Sequence, residues 1–186
     1  AAGLLTVDNG TVQIGTAGVY GTVSIGSVIQ NGGTIELDLG DSAVSADALI
    51  VSGDADFFGG QILLKPASNP AGITYDVLTY GGTLIAPPVV TADAGRMVAN
   101  VSNGSGFNDK VTVNFTGNSA SLVWRGNDGT NPNNWDNNVT TNWDNSGTPD
   151  KFLTFDNVLF NDTATSFTPS IIGALNTGSV TFNNAT

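Results

Sequence analysis

Short runs in which apolar and polar residues alternate recur along the first part of the chain: Thr11-Val12-Gln13-Ile14, Thr22-Val23-Ser24-Ile25, Thr34-Ile35-Glu36-Leu37 and Gln61-Ile62-Leu63-Leu64. Each stands behind a glycine, at positions 10, 21, 33 and 60, and Gly82-Thr83-Leu84-Ile85 repeats the phrase. Period-two alternation between glycine punctuation predicts short β-strands joined by tight turns. Successive glycines lie 11, 12, 27 and 22 residues apart, spans of one or two strand-plus-turn units, which makes the pattern a degenerate internal repeat. Strands with two or three inward apolar residues do not close a core singly. Coiling the chain so that equivalent strands stack solves this, so the expected fold is all-β, a right-handed parallel β-helix or solenoid of short strands. The alternative is a β-sandwich, built from strands of the same length with turns every ~8–12 residues.

Two strand-turn units meet between Ala46 and Leu64, and Tyr75–Tyr80 reads as a further strand after the turn-like Pro66-Ala67-Ser68-Asn69-Pro70. Pro87-Pro88 interrupts the next apolar run, residues 91–109 are polar, and Val111-Thr112-Val113-Asn114-Phe115 restores alternation. A boundary near Gly117–Ala120 gives two expected modules, 1–119 and 120–186, the second continuing the same β-stack.

Composition reinforces the strand reading. There are 15 Asp but only one Glu, Glu36, and few Lys, Arg or Gln, so the residues that sustain exposed helices are scarce. The net charge is −11, and the five cations, Lys65, Arg96, Lys110, Arg125 and Lys151, are scattered, which excludes nucleic acid as a partner. With no Cys and no His, thiol nucleophiles, disulfides, most zinc and copper sites and imidazole bases are excluded, leaving carboxylate chemistry. No basic, apolar leader opens the chain and the prolines break Leu84–Val90, so neither a signal peptide nor a membrane span is expected in it.

The last third has its own texture. Leu122-Val123-Trp124-Arg125-Gly126, Asn134-Trp135-Asp136, Thr141-Asn142-Trp143, Phe155-Asp156-Asn157-Val158-Leu159-Phe160-Asn161-Asp162 and Gly178-Ser179-Val180-Thr181-Phe182-Asn183-Asn184 follow one another. In order and spacing this text resembles the autotransporter-associated β-strand repeat module, over about residues 121–186. The preceding part is similar, more weakly, to the β-helical passenger segments that often come before that module, in Ser45–Gly53 and Tyr75–Thr79. The resemblance implies a β-helical stalk or passenger at the bacterial cell surface or outside the cell, with structural or adhesive work, no enzymatic activity and no catalytic residues to carry over. It implies architectural roles, as buried rings and a turn former, for Trp124, Trp135, Trp143 and Asp156.

Several candidate sites stand beside this reading. Asn127-Asp128-Gly129, with Asn131, Asn133, Asn134 and Asp136 behind it, gathers hard oxygen ligands around a turn, which suits calcium; Asn127, Asp128 and Asp136 are the candidate ligands. The same residues make turns through side-chain-to-backbone hydrogen bonds with no metal. Trp124, Trp135 and Trp143 serve either as core or, in the alternative function of a carbohydrate-binding module, as exposed sugar platforms for a surface polysaccharide. Asp54 and Asp56, two apart, would share a strand face as paired catalytic carboxylates do, although Asp54 follows Ser52-Gly53 and reads as a turn residue. Seven Asn-x-Ser/Thr acceptors occur, at 9, 100, 103, 114, 138, 161 and 184.

Neither end reads as capped. Ala1-Ala2-Gly3-Leu4-Leu5-Thr6-Val7 is strand-like from the outset, and Ser179-Val180-Thr181-Phe182 runs close to the last residue. Uncapped solenoid ends associate, so the expected partners are neighbouring repeats of a longer chain or further copies in a filament.

Overall fold

Alternation becomes a ladder of stacked strands in the computed structural model, which describes residues 3–16 and 18–185. Strands are the regular elements of the described residues, among which no helix occurs. The Ala1-Ala2 part of the strand-like opening lies outside them. The chain divides into two compact units, one comprising the residues up to Ala94 with Val98–Thr116, the other Gly95–Met97 with the residues from Gly117 onward.

In the first unit, β1 (Leu4–Val7), β2 (Thr11–Gln13) and β3 (Thr22–Ile25) make one coil, β4 (Ser27–Leu39) and β5 (Ala48–Val51) the next, and β6 (Ala55–Pro66) and β7 (Thr74–Tyr80) a third. β4 lies parallel on both β1 and β2, and β6 on β4. On the second sheet β5 lies parallel on β3 and β7 on β5. This is a β-solenoid of about three turns, not a sandwich. β8 (Leu84–Ala86) and β9 (Val90–Ala92) begin another rung on β6. The chain then reverses: β10 (Val98–Ser102) and β11 (Asp109–Thr116) form an antiparallel hairpin whose second strand pairs antiparallel with β7.

Side chains one coil apart stack in columns. Val12, Ile35, Ile62 and Val90 form one, Val23, Leu49 and Leu78 another, and Ile35, Leu49, Ile62 and Leu78 have no exposed surface. Identical faces are thereby buried by repetition, as the alternation requires.

β4 and β6 span 13 and 12 residues, far longer than the four-residue phrases announced. The reason lies at the corner, where Gly10, Gly33 and Gly60 stack with φ of 74°, 68° and 75°. A Cβ on Gly33 would meet the Gly10 carbonyl oxygen at 2.5 Å, so the coils approach there as only glycine permits. Inside the corner the buried Gln30 side chain donates to the carbonyls of Gly32, Gly33 and Gln61 at 3.1–3.3 Å, which carries the ladder round the bend. A second glycine column, Gly26, Gly53 and Gly82, is linked by backbone bonds of 2.7 and 2.8 Å. Gly21 belongs to neither column; its N–H donates to Asp47 Oδ1 at 2.6 Å, and Asp47 Oδ2 accepts from the Asp38 N–H at 2.9 Å. The single glycine repeat read from the sequence is thus two columns and an aspartate-held loop.

The second unit contains β12 (Ser121–Trp124), β13 (Asn134–Trp135), β14 (Trp143–Asn145), β15 (Thr148–Asp150), β16 (Asn157–Asn161), β17 (Ser170–Ile171) and β18 (Ser179–Asn183). β12, β16 and β18 stack in parallel, while β14 and β15 extend the sheet antiparallel beyond β12. β13 pairs with β17 in a separate two-stranded ladder. Its core is Leu122, Trp124, Trp135, Trp143, Phe152, Val158 and Phe160.

Candidate functional site

The tryptophans sit inside the second unit, with exposures of 1% for Trp124, 6% for Trp135 and 1% for Trp143. Trp124 and Trp143 meet edge to face at 5.0 Å, Trp135 and Trp143 at 5.4 Å, and Phe160 touches all three. Such arrangements suit the ring quadrupoles and add to the area buried. These rings offer no platform, which corrects the reading of Trp124, Trp135 and Trp143 as exposed sugar-binding residues. The Trp124 indole N–H donates to the Ser166 carbonyl at 2.7 Å, whereas those of Trp135 and Trp143 find no partner among the described residues. Burial follows from period two: Leu122 and Trp124 point inward from β12 while Val123 between them is half-buried.

Asp156 is fully buried and held from three directions. Its Oδ1 accepts from the Ala120 N–H at 2.8 Å, its Oδ2 from the Leu153 N–H at 2.9 Å, and Arg96 Nε donates to both oxygens at 2.9 and 3.0 Å. Arg96 also donates to the Lys151 carbonyl and pairs with Asp150 at 3.0 Å. Beside it the buried Phe155 is held at φ +70°, a costly conformation for a bulky residue, kept by the turn that Asp156 ties. Arg96, Asn142 and Asp47 are the structural residues that sequence reading missed. Asn142 lay within a quoted motif, and its side chain proves to bond the Asn131 and Asn134 carbonyls and the Asp128 N–H.

Asp128 occupies the expected turn. Its Oδ1 accepts from the N–H groups of Thr130 and Asn131, and its Oδ2 from the N–H and hydroxyl of Thr141. These bonds, the Asn131 N–H foremost, lower its pKa to about 2. Buried Asp136 closes a separate loop by accepting from the Thr140 N–H and hydroxyl, and Asn127 is exposed. A cation at Asp128 or Asp136 would compete with these internal donors, and no group of three acidic residues able to hold a metal occurs among the described residues.

Asp54 is in a turn, where its Oδ1 accepts from the Thr83 N–H at 2.8 Å, while Asp56 is buried in β6. Burial, and secondarily the charge of Asp54, raises the pKa of Asp56. No Lys or Arg forms an ion pair with either among the described residues. Of the seven Asn-x-Ser/Thr acceptors, Asn9, Asn100, Asn103, Asn138 and Asn184 are exposed, and Asn114 and Asn161 are half-buried.

The remaining distinctive surface is the outer rung of the second unit. Leu122, Val158 and Val180 share one column of the β12, β16, β18 stack, and Phe160 and Phe182 share the next. Val158 and Phe160 are buried at 2% and 6%, but Val180 and Phe182 are exposed at 43% and 72%. Phe182 stacks on Phe160 at 5.1 Å, and beside them lies a cavity of about 230 Å³ whose walls include Trp124, Phe167 and Asn184. Compared with known proteins, the chain matches no family model, no curated protein and no solved structure.

Proposed function

We propose that this chain is a non-catalytic structural and adhesive segment of a bacterial surface protein, a stacked β-scaffold working outside the cell beside repeats or copies of itself. One observation carries the reading: most of the side chains singled out for chemistry are engaged in holding backbone or core, Asp56 in β6 being the exception. Asp47, Asp128, Asp136 and Asp156 all accept from main-chain N–H groups, and the three tryptophans form one core. The resemblance of residues 121–186 to a surface-protein repeat supports a location outside the cell, and an acidic chain suits a strand-rich protein working there.

The test is an antiserum raised against the purified chain. It is expected to label intact cells of the source bacterium and to lose its target when those cells are treated with protease. Labelling only after permeabilisation overturns the proposal.

A further inference from the structure

The loop between β10 and β11, residues 103–108, encloses a cavity of about 220 Å³ against the end of β7 and the segment that follows it. The loop contributes Gly104, Ser105, Gly106 and Phe107 to its lining, and the rest comes from Tyr80, Thr83 and Leu84. All of these belong to the first unit. Asp109 gathers the loop, its Oδ2 accepting from the Ser105 N–H at 2.9 Å and its Oδ1 from the Lys110 N–H at 2.8 Å. Asn108, at φ +53°, turns the chain back into β11.

Two features of this cavity are not used in holding the fold. Tyr80 has no exposed surface, yet its hydroxyl has no hydrogen-bond partner among the described residues. Tyr75, equally buried, is satisfied in the ordinary way, since its hydroxyl donates to the Gly40 carbonyl at 2.7 Å. The second feature is Phe107, a large ring 74% exposed in a loop that is otherwise polar or glycine. Between them lies Gly104, where a Cβ would run into the Tyr80 hydroxyl and the Asp109 carboxylate, so the loop crosses the phenol only because this residue has no side chain.

The walls select a neutral ligand that carries hydroxyls. No Lys or Arg stands among the described residues that line the cavity, and the neighbouring Asp109 carboxylate repels an anion while both its oxygens already accept from N–H groups. Burial, and secondarily the charge of Asp109, raises the pKa of Tyr80, which keeps it a donor throughout the neutral range. Thr83 and Ser105 add hydroxyls, and Leu84 and Phe107 add apolar surface. The volume lies below the ~300–1,000 Å³ of a site for a drug-sized ligand and suits one small ring.

We infer that the cavity under the β10–β11 loop binds a single neutral sugar residue, whose C–H face lies on the Phe107 ring and one of whose hydroxyls accepts from the Tyr80 hydroxyl. This deepens the adhesive part of the proposed function and rests on it, since a surface polymer displays such residues. Gly104 covers the Tyr80 hydroxyl, so the sugar reaches it as the exposed Ser105-Gly106 segment and Gly104 give way.

The test is amide NMR of the isotope-labelled chain, titrated with the methyl glycosides of glucose, galactose, mannose and N-acetylglucosamine. At least one is expected to move the signals of Gly104, Ser105, Gly106 and Phe107 to saturation, with a Kd of about 1–10 mM. Methyl glucuronide, an anionic counterpart, is expected to leave them in place. Tyr80→Phe removes only the unpartnered oxygen, so it should keep or raise the melting temperature while weakening binding about three- to tenfold. Phe107→Ala, at an exposed position, should weaken binding about tenfold with the melting temperature unchanged. The inference is overturned if none of the four sugars moves these signals at about 100 mM, if the glucuronide moves them as far, or if either variant binds like the parent. A lower melting temperature for Tyr80→Phe overturns it too, because the hydroxyl would then serve the fold. Each of these failures leaves cell-surface labelling untouched, and loss of labelling leaves sugar binding untouched, so failure of the site and failure of the scaffold reading are told apart.

Discussion

Asp156 acts as a tie between segments that are far apart in the chain, because its two oxygens hold Arg96, Ala120 and Leu153 at once. Asp156→Ala leaves two N–H donors and a guanidinium without their acceptor. By the usual cost of breaking a buried pair it should remove about 3–5 kcal/mol of stability from the second unit. Denaturant unfolding followed by tryptophan fluorescence reads this directly, since all three tryptophans are in that unit; an unchanged midpoint would mean that Asp156 ties nothing. The motif that holds Asp156 was visible in the sequence, but its partner Arg96 lies 60 residues upstream in polar text, where nothing local marks it. The oxygen-rich turn at Asp128 was visible too. Whether its oxygens face inward to N–H groups or outward to a cation is a matter of backbone direction, which composition does not encode.

Strands were legible where period two was clean, as in Thr22–Ile25 and in the first half of Thr74–Tyr80, because alternation reports directly on which side faces a core. Continuity through the corners of β4 and β6 was not, since paired glycines weaken a strand reading; only the coil below shows that they are needed there. The antiparallel return of β10 and β11 was equally hidden, because a reversal of direction leaves the alternation itself unchanged. The corner makes its own prediction. Gly60→Ala combines a φ of +75° with a Cβ directed into the carbonyl of Gly33, and should cost about 1–3 kcal/mol or more. Gly129→Ala, where a Cβ meets nothing within 4 Å, should leave the thermal midpoint within a degree or two of the parent. Equal melting temperatures for the two variants would remove the corner's claim to be close-packed.

The two units should answer acid differently. In the second, hydrogen bonds lower the pKa of Asp128 to about 2, and the Arg125 guanidinium lowers that of Asp144. Groups lowered on folding contribute stability that is present above about pH 4 and is lost as the pH falls towards 2. In the first, backbone hydrogen bonds, that of the Lys110 N–H foremost, lower the pKa of Asp109, but burial raises those of Asp47 and Asp56, whose charged forms oppose folding at neutral pH and whose protonation offsets that loss as the pH falls. Acid titration is therefore expected to red-shift tryptophan emission between about pH 4 and 2, before the tyrosine near-ultraviolet signal of Tyr75 and Tyr80 is lost. Simultaneous loss of both signals would show one cooperative acid transition instead.

Coil length also varies from rung to rung. Leu5 to Gly10, Val28 to Gly33 and Ala55 to Gly60 are each five residues, yet from there to Gly26, Gly53 and Gly82 the chain takes 16, 20 and 22. The growth lies in the strands, three residues in β2 against six in β4 and β6 beyond the corner glycine, and seven in β7 against four in β3 and β5. The segments that join β2 to β3, β4 to β5 and β6 to β7 stay at 8, 8 and 7 residues. Val44, on the middle one, is 92% exposed, and lengthening such a loop costs only slowly increasing closure entropy. A foreign peptide inserted beside Val44 is therefore expected to leave the ladder beneath undisturbed, with an unchanged melting temperature as the check.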